Sequence, residues 1–164
     1  MVVTIKNSFF ALVALLLLAS CDKARVFDEY KEFDGGWNID KKAQFTFEAT
    51  DTVSRYNLFI TTRANNSYPY SNLFIIVQME QPDTRLVKVD TLEYQMANPD
   101  GSLMGSGFSD IKESKLWYKE NVNFPKTGKY LFTIQQAVRE SGKVPGVENL
   151  EGITEVGFRI ENKE

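Results

Sequence analysis

The chain has 164 residues, with 19 Lys+Arg against 22 Asp+Glu, one Cys, no His and a formal net charge of -3. The missing histidine excludes an imidazole base, a Ser-His or Cys-His nucleophile and a His-ligated zinc. A lone cysteine makes no intrachain disulfide and no thiolate metal cluster, and the acidic balance is wrong for binding a nucleic-acid backbone.

Lys6 is the sole charge before Cys21, and Phe9 to Leu18 is an unbroken apolar run followed by Ala19-Ser20-Cys21. A basic start, a short apolar core and small residues at a cut site predict a signal peptide over residues 1–20. As a helix the run rises only about 15 Å, too little to cross a bilayer. Leu18-Ala19-Ser20-Cys21 looks like a bacterial lipobox, in which the Cys thiol takes diacylglycerol before cleavage on its N-terminal side. Cys21 is therefore the candidate lipidation site. Two or more acyl chains on it would anchor the protein stably to a membrane.

Residues 21–36 read as a lipidated N-terminus and tether, rich in charge at Asp28, Glu29, Lys31, Glu32 and Asp34. Phe27, Tyr30 and Phe33 also have the spacing of a short amphipathic helix. Gly35-Gly36 ends the segment, and residues 37–164 read as one domain with a period of two.

Phe45, Phe47 and Ala49 alternate with Gln44, Thr46 and Glu48, so one face of a strand is buried. Tyr56 to Thr62 is a second strand. Leu73 to Val77 is apolar on both faces, as a central strand should be. Val87 and Val89 share one face while Leu92, Tyr94 and Met96 share the other, which predicts a β-bulge near Asp90-Thr91. Asn98-Pro99-Asp100-Gly101 is a turn, with Pro presetting φ and Gly taking the left-handed position. Lys112 to Lys119 fits a short helix or an edge strand. Lys129 to Gln136 buries Tyr130, Phe132 and Ile134, and the last strand buries Val156, Phe158 and Ile160. All five prolines fall between runs. The fold class is all-β, a single antiparallel β-sandwich of immunoglobulin-like or jelly-roll topology. Gly128-Lys129-Tyr130 has the G-x-Y spelling of a tyrosine corner, which favours a Greek-key arrangement.

Ser109-Asp110-Ile111-Lys112 and Lys126-Thr127-Gly128 spell the S-x-x-K and K-T-G of penicillin-interacting serine enzymes. They stand too close together in the chain, with no S-D-N between them, and the second reads better as a turn before a strand. Glu48 and Glu93 lie on outward faces of separate strands, so no carboxylate pair is set up for glycoside hydrolysis. No catalytic residue, cofactor site or metal ligand is expected. Tyr68, Tyr70, Trp117 and Tyr118 sit in connecting segments. Such aromatics cap a core, form a protein interface or stack on sugar rings, and these four are the candidate partner surface.

Four stretches, in order behind the lipobox, carry a family resemblance. They are Tyr68-Pro69-Tyr70-Ser71-Asn72-Leu73-Phe74; Asp90 to Tyr94 with the Asp100-Gly101 turn and Gly105-Ser106-Gly107; Phe124 to Tyr130 running on to Gln135-Gln136 and Arg139; and Gly152-Ile153 with Val156 to Ile160. Together they resemble the GldH family of gliding-motility lipoproteins of the Bacteroidota, over roughly Asp28 to Ile160. The family often has an aromatic where this chain has Leu103.

The resemblance implies a non-catalytic, lipid-anchored envelope protein, at the outer membrane, that supports gliding motility and is linked to surface adhesin movement and type IX secretion. Its implied partners are the membrane, through the lipid, and other motility or secretion envelope proteins. Asp51-Thr52-Val53 and Asp90-Thr91-Leu92 also resemble the O-glycosylation acceptor of this bacterial group, making Thr52 and Thr91 candidate acceptors. The rival function is a carbohydrate-binding lipoprotein of a polysaccharide-uptake system. It would need a tryptophan-lined groove, for which only Trp37 and Trp117 are available.

Overall fold

The computed structural model describes residues 22–84, 87–107 and 109–163. The expected signal peptide and Cys21 lie outside them. The described residues form ten strands: β1 (Arg25–Glu32), β2 (Trp37–Asn38), β3 (Ala43–Ala49), β4 (Tyr56–Ala64), β5 (Asn72–Glu80), β6 (Val87–Gln95), β7 (Lys112–Val122), β8 (Gly128–Gln136), β9 (Asn149–Leu150) and β10 (Ile153–Asn162). One four-stranded sheet runs β1-β10-β4-β7, the other runs β3-β8-β5-β6, and β2 pairs with β9 in a short ribbon. All named pairs are antiparallel.

With β2 and β9 set aside, the eight long strands follow the order 1-8-3-6 in one sheet and 2-7-4-5 in the other. That is the double Greek key of a jelly roll, so the topology left open by the sequence is decided. The tyrosine corner is present as well. The Tyr130 hydroxyl donates to the Lys126 carbonyl at 3.0 Å and accepts from the Lys126 amide at 3.1 Å.

The core fills from the inward residues of each strand. β3 buries Ala43, Phe45, Phe47 and Ala49 in strict alternation. Leu73, Ile75 and Val77 of β5 are fully buried, and β5 lies between β6 and β8, as expected of a central strand. Aromatic rings carry much of the packing: Phe132 stacks on Phe158 at 4.3 Å, and Phe124 lies 4.7 Å from Tyr130. Each fully buried Phe contributes about 1.5–3 kcal/mol. A domain with no disulfide rests on such burial.

Two expectations are corrected, and one left open is decided. Residues 25–32, read as part of a tether, form β1, which pairs with β10 from Arg25↔Glu161 to Glu32↔Glu155. Its three-residue aromatic spacing is no helix signature. Phe27 packs inward against Phe47 and Phe158, while Tyr30 lies across Gly157 on the outer face. The β-bulge expected near Asp90-Thr91 is absent, since β5 and β6 keep one register from Asn72↔Gln95 to Glu80↔Val87. Val87 and Val89 simply face solvent, 46% and 56% exposed. Lys112 to Val122 is an edge strand and not a helix.

The registers divide the connections between two ends. The start of β1, the end of β10, the short loops 50–55 and 123–127 and residues 81–84 share one end. The longer connections 33–42, 65–71, 96–111 and 137–152 gather at the other. Strands of this length hold the two ends about 30 Å apart.

A groove between the distal loops

Two loops at the end away from the start of β1, the distal end, build a concave site. Its walls are Tyr68, Pro69, Tyr70 and Ser71 from loop 65–71, and Ala97, Asn98, Pro99, Gly101 and Leu103 from loop 96–111, with Gln95 at the end of β6. They enclose a cleft of about 410 Å³.

Hydrogen bonds fix both walls. The Ser71 carbonyl accepts from the Met96 and Ala97 amides, at 2.7 and 3.2 Å, and so joins one loop to the other. Asn98 closes its own turn by accepting from the Gly101 amide and donating to the Ser102 carbonyl. The Asp100 carboxylate accepts from the Ser102 amide and hydroxyl, which holds its carboxyl below the usual range. The turn read from Asn98-Pro99-Asp100-Gly101 therefore forms, with Gly101 at φ 85°.

Tyr68 is buried and donates its hydroxyl to the Asn72 carbonyl at 2.6 Å, and burial raises its pKa. Tyr70 packs edge-on against it at 5.8 Å and is only half-buried. Tyr68 is thus a support and Tyr70 the accessible face. Leu103 and Gln95, missed as site residues from the sequence, complete the groove. Leu103 is placed by a β-bridge to Ala97, a contact that no local pattern announces.

The other two candidate aromatics lie elsewhere, and they lie apart. Trp117 is 57% exposed on the outer face of β7, with its ring 4.4 Å from Phe59. Tyr118, the next residue, points inward and donates to Asp90 on the facing sheet. Adjacent strand residues face opposite ways, so these two make no common patch. Trp37 is fully buried, donates its indole N–H to the Lys41 carbonyl and stacks on Phe33. It lines no groove with Trp117.

Thr52 is exposed in loop 50–55 and Thr91 is exposed on the outer face of β6. The aspartates before them have structural work. Asp51 accepts from the amides of Val53 and Ser54 and from the Ser54 hydroxyl, and Asp90 accepts from Tyr118.

Ser109 sits in a distal loop and Lys126 at the opposite end of the sandwich, so the S-x-x-K and K-T-G spellings never meet. Glu48 and Glu93 are likewise at opposite ends of their sheet. Among the described residues no three acids gather as a metal site would require.

Comparison with known proteins follows the same outline. The family model for the GldH lipoprotein matches residues 25–160. The chain is 61% identical over 160 residues to the gliding motility lipoprotein GldH of Flavobacterium johnsoniae, covering 98% of this chain and 99% of that one. It is 49% identical over 156 residues to the GldH homolog of Christiangramia forsetii, covering 95% of each. Among solved structures it aligns with a fructofuranosidase from Schwanniomyces occidentalis at a TM-score of 0.41 and 12% identity, over 87% of this chain and 35% of that one. That likeness is too slight to bear on function. The full-length match to two gliding-motility relatives decides the matter: the chain belongs to the GldH lipoprotein family.

Proposed function

We propose that this protein is a non-catalytic lipoprotein, acylated at Cys21 after loss of residues 1–20, that supports gliding motility from the outer membrane. Its distal groove engages envelope proteins of the motility or secretion machinery, and through them adhesin movement and type IX secretion. The carrying observation is polarity: the chain enters at one end of the jelly roll, and the groove opens at the other. A lipid anchor confines the domain to the membrane and raises its effective concentration for partners there, so a small contact suffices. The separation of every catalytic-looking motif into distant parts supports a binding role over an enzymatic one.

The test is genetic. Deletion in a gliding host should abolish colony spreading and adhesin movement. Wild-type protein should restore both, while Cys21→Ser and a groove variant, Tyr70→Glu, should not. Normal gliding in the deletion strain, with impaired glycan uptake, would favour the carbohydrate-binding rival. The burial of Trp37 already counts against that rival.

A further inference from the structure

We propose that the anchor-side end of the sandwich is itself a membrane-contact surface, with Val53 entering the interfacial layer and Lys23, Arg25, Arg55 and Lys126 meeting anionic headgroups. The inference rests on lipid attachment at Cys21 and adds what the folded domain does beside that lipid.

The chain leaves no slack. Asp22 directly follows Cys21, and its carboxylate is held by the Arg159 guanidinium of β10, which also bonds Asp28 and Glu161. The Arg25 amide then donates to the Asp22 carbonyl, and β1 begins. One extended residue spans about 3.6 Å. An acyl-bearing Cys21 therefore brings loops 50–55 and 123–127 down to the headgroups.

What those loops present suits that place. Val53 is 82% exposed at the tip of loop 50–55. Isolated exposed valines are ordinary on protein surfaces. This one is held outward by a built turn, in which Asp51 accepts from the Val53 and Ser54 amides. Around it, Lys23, Arg25, Arg55 and Lys126 are exposed and make no ion pair among the described residues. Of the acids at this end, Asp22 is taken by Arg159, Asp51 by its own turn and Glu120 by Lys163, leaving Glu48, Glu80 and Asp83 exposed. An aliphatic tip that shares its end with four unpaired bases suits an anionic bilayer surface, apolar below and negative at the headgroups. Contact at this end would stand the domain upright, with its groove about 30 Å from the lipid.

The experiment uses the full lipidated chain. Once acylated, the Cys21 sulfur is a thioether, so Val53→Cys supplies the only free thiol for an environment-sensitive fluorophore. Val144→Cys serves as the distal control, since Val144 is 85% exposed in loop 137–152. Both proteins are reconstituted into vesicles of phosphatidylcholine and phosphatidylglycerol. Mass spectrometry of the N-terminal peptide and vesicle flotation come first. A protein that lacks acyl chains refutes the Cys21 reading on which the inference rests. With acylation established, the probe at position 53 should shift to the blue and be quenched by headgroup-proximal spin-labelled lipid, while the probe at position 144 reports water. Adding Arg55→Glu and Lys126→Glu, or omitting phosphatidylglycerol, should weaken quenching at position 53. Floated, acylated protein whose position-53 probe reports water like position 144 would overturn the inference.

Discussion

Tyr118 on β7 donates its hydroxyl to the Asp90 carboxylate on β6 at 2.7 Å, joining the edge strand of one sheet to the edge strand of the other. Lys119 adds an ion pair to the same oxygen at 2.8 Å, and the Tyr94 hydroxyl donates to the Trp117 carbonyl. One open side of the sandwich is thus closed by polar links, where side chains reach across between sheets that share no backbone pairing. Burial raises the Tyr94 pKa to about 12 and raises that of Tyr118 as well, so both hydroxyls remain donors at physiological pH.

Asp90 predicts a pH effect. Burial opposes its ionisation, but the Lys119 and Tyr118 bonds outweigh it and lower its pKa. A carboxyl lowered in the folded state contributes stability above its unfolded pKa of about 3.9, and loses it as pH falls through the folded value. Asp90→Asn should therefore be less stable than wild type at neutral pH, by no more than about 1 kcal/mol for so exposed a pair. The gap should close below about pH 4. Urea denaturation at several pH values measures both limits, and a constant gap would rule out this role.

The tyrosine corner predicts a local cost. Tyr130 is fully buried, and its hydroxyl serves both polar groups of Lys126. Tyr130→Phe should lose about 1–3 kcal/mol by leaving them without that partner. Equilibrium unfolding reads this directly, and an unchanged midpoint would show the corner to be incidental.

Two glycines with similar φ separate conformational strain from collision. Gly101 has φ 85° and open space where a Cβ would lie. Gly152 has φ 81°, but its Cβ would run into the Tyr68 backbone under the groove wall. Gly101→Ala should cost about 1–2 kcal/mol, the left-handed penalty alone. Gly152→Ala should cost about 1–3 kcal/mol more through overpacking. It should also shift the amide signals of residues 67–70 in an NMR spectrum, which Gly101→Ala should leave in place.

Trp117 covers Phe59, which is only 3% exposed although it lies on the outer face of its sheet. The Lys115 ammonium lies over the same ring at 4.0 Å. Trp117→Ala should cost about 1 kcal/mol, the value of an aromatic pair. Gliding should survive it, because the Trp117 ring lies on the outer face of β7 and lines no part of the groove. Loss of colony spreading with stability intact would instead place a partner on β7.

Most of the sandwich was legible because a half-buried strand repeats every two residues, as Ala43 to Ala49 does. β1 escaped that logic. Its outward charges looked like a solvated linker, yet Asp28 is paired with Arg159, a residue near the other end of the chain. A partner so distant leaves no local trace. The site divided the same way. Tyr68 and Tyr70 stood out by their position between strands, but the second wall depends on Ser71 reaching Met96 and Ala97. Trp117 and Tyr118 misled because neighbours in sequence point to opposite faces of a strand.

The conversion of the expected tether into β1 has a mechanical consequence. A pull at Cys21, resisted by a partner on the distal loops, acts along the axis of β1. Its hydrogen bonds to β10, spread from Arg25↔Glu161 to Glu32↔Glu155, are then loaded together in shear and do not open one after another from an end. With the proposed lipid at Cys21, the strand that follows it would enter the sheet in the orientation that best bears tension between a membrane and a partner above it.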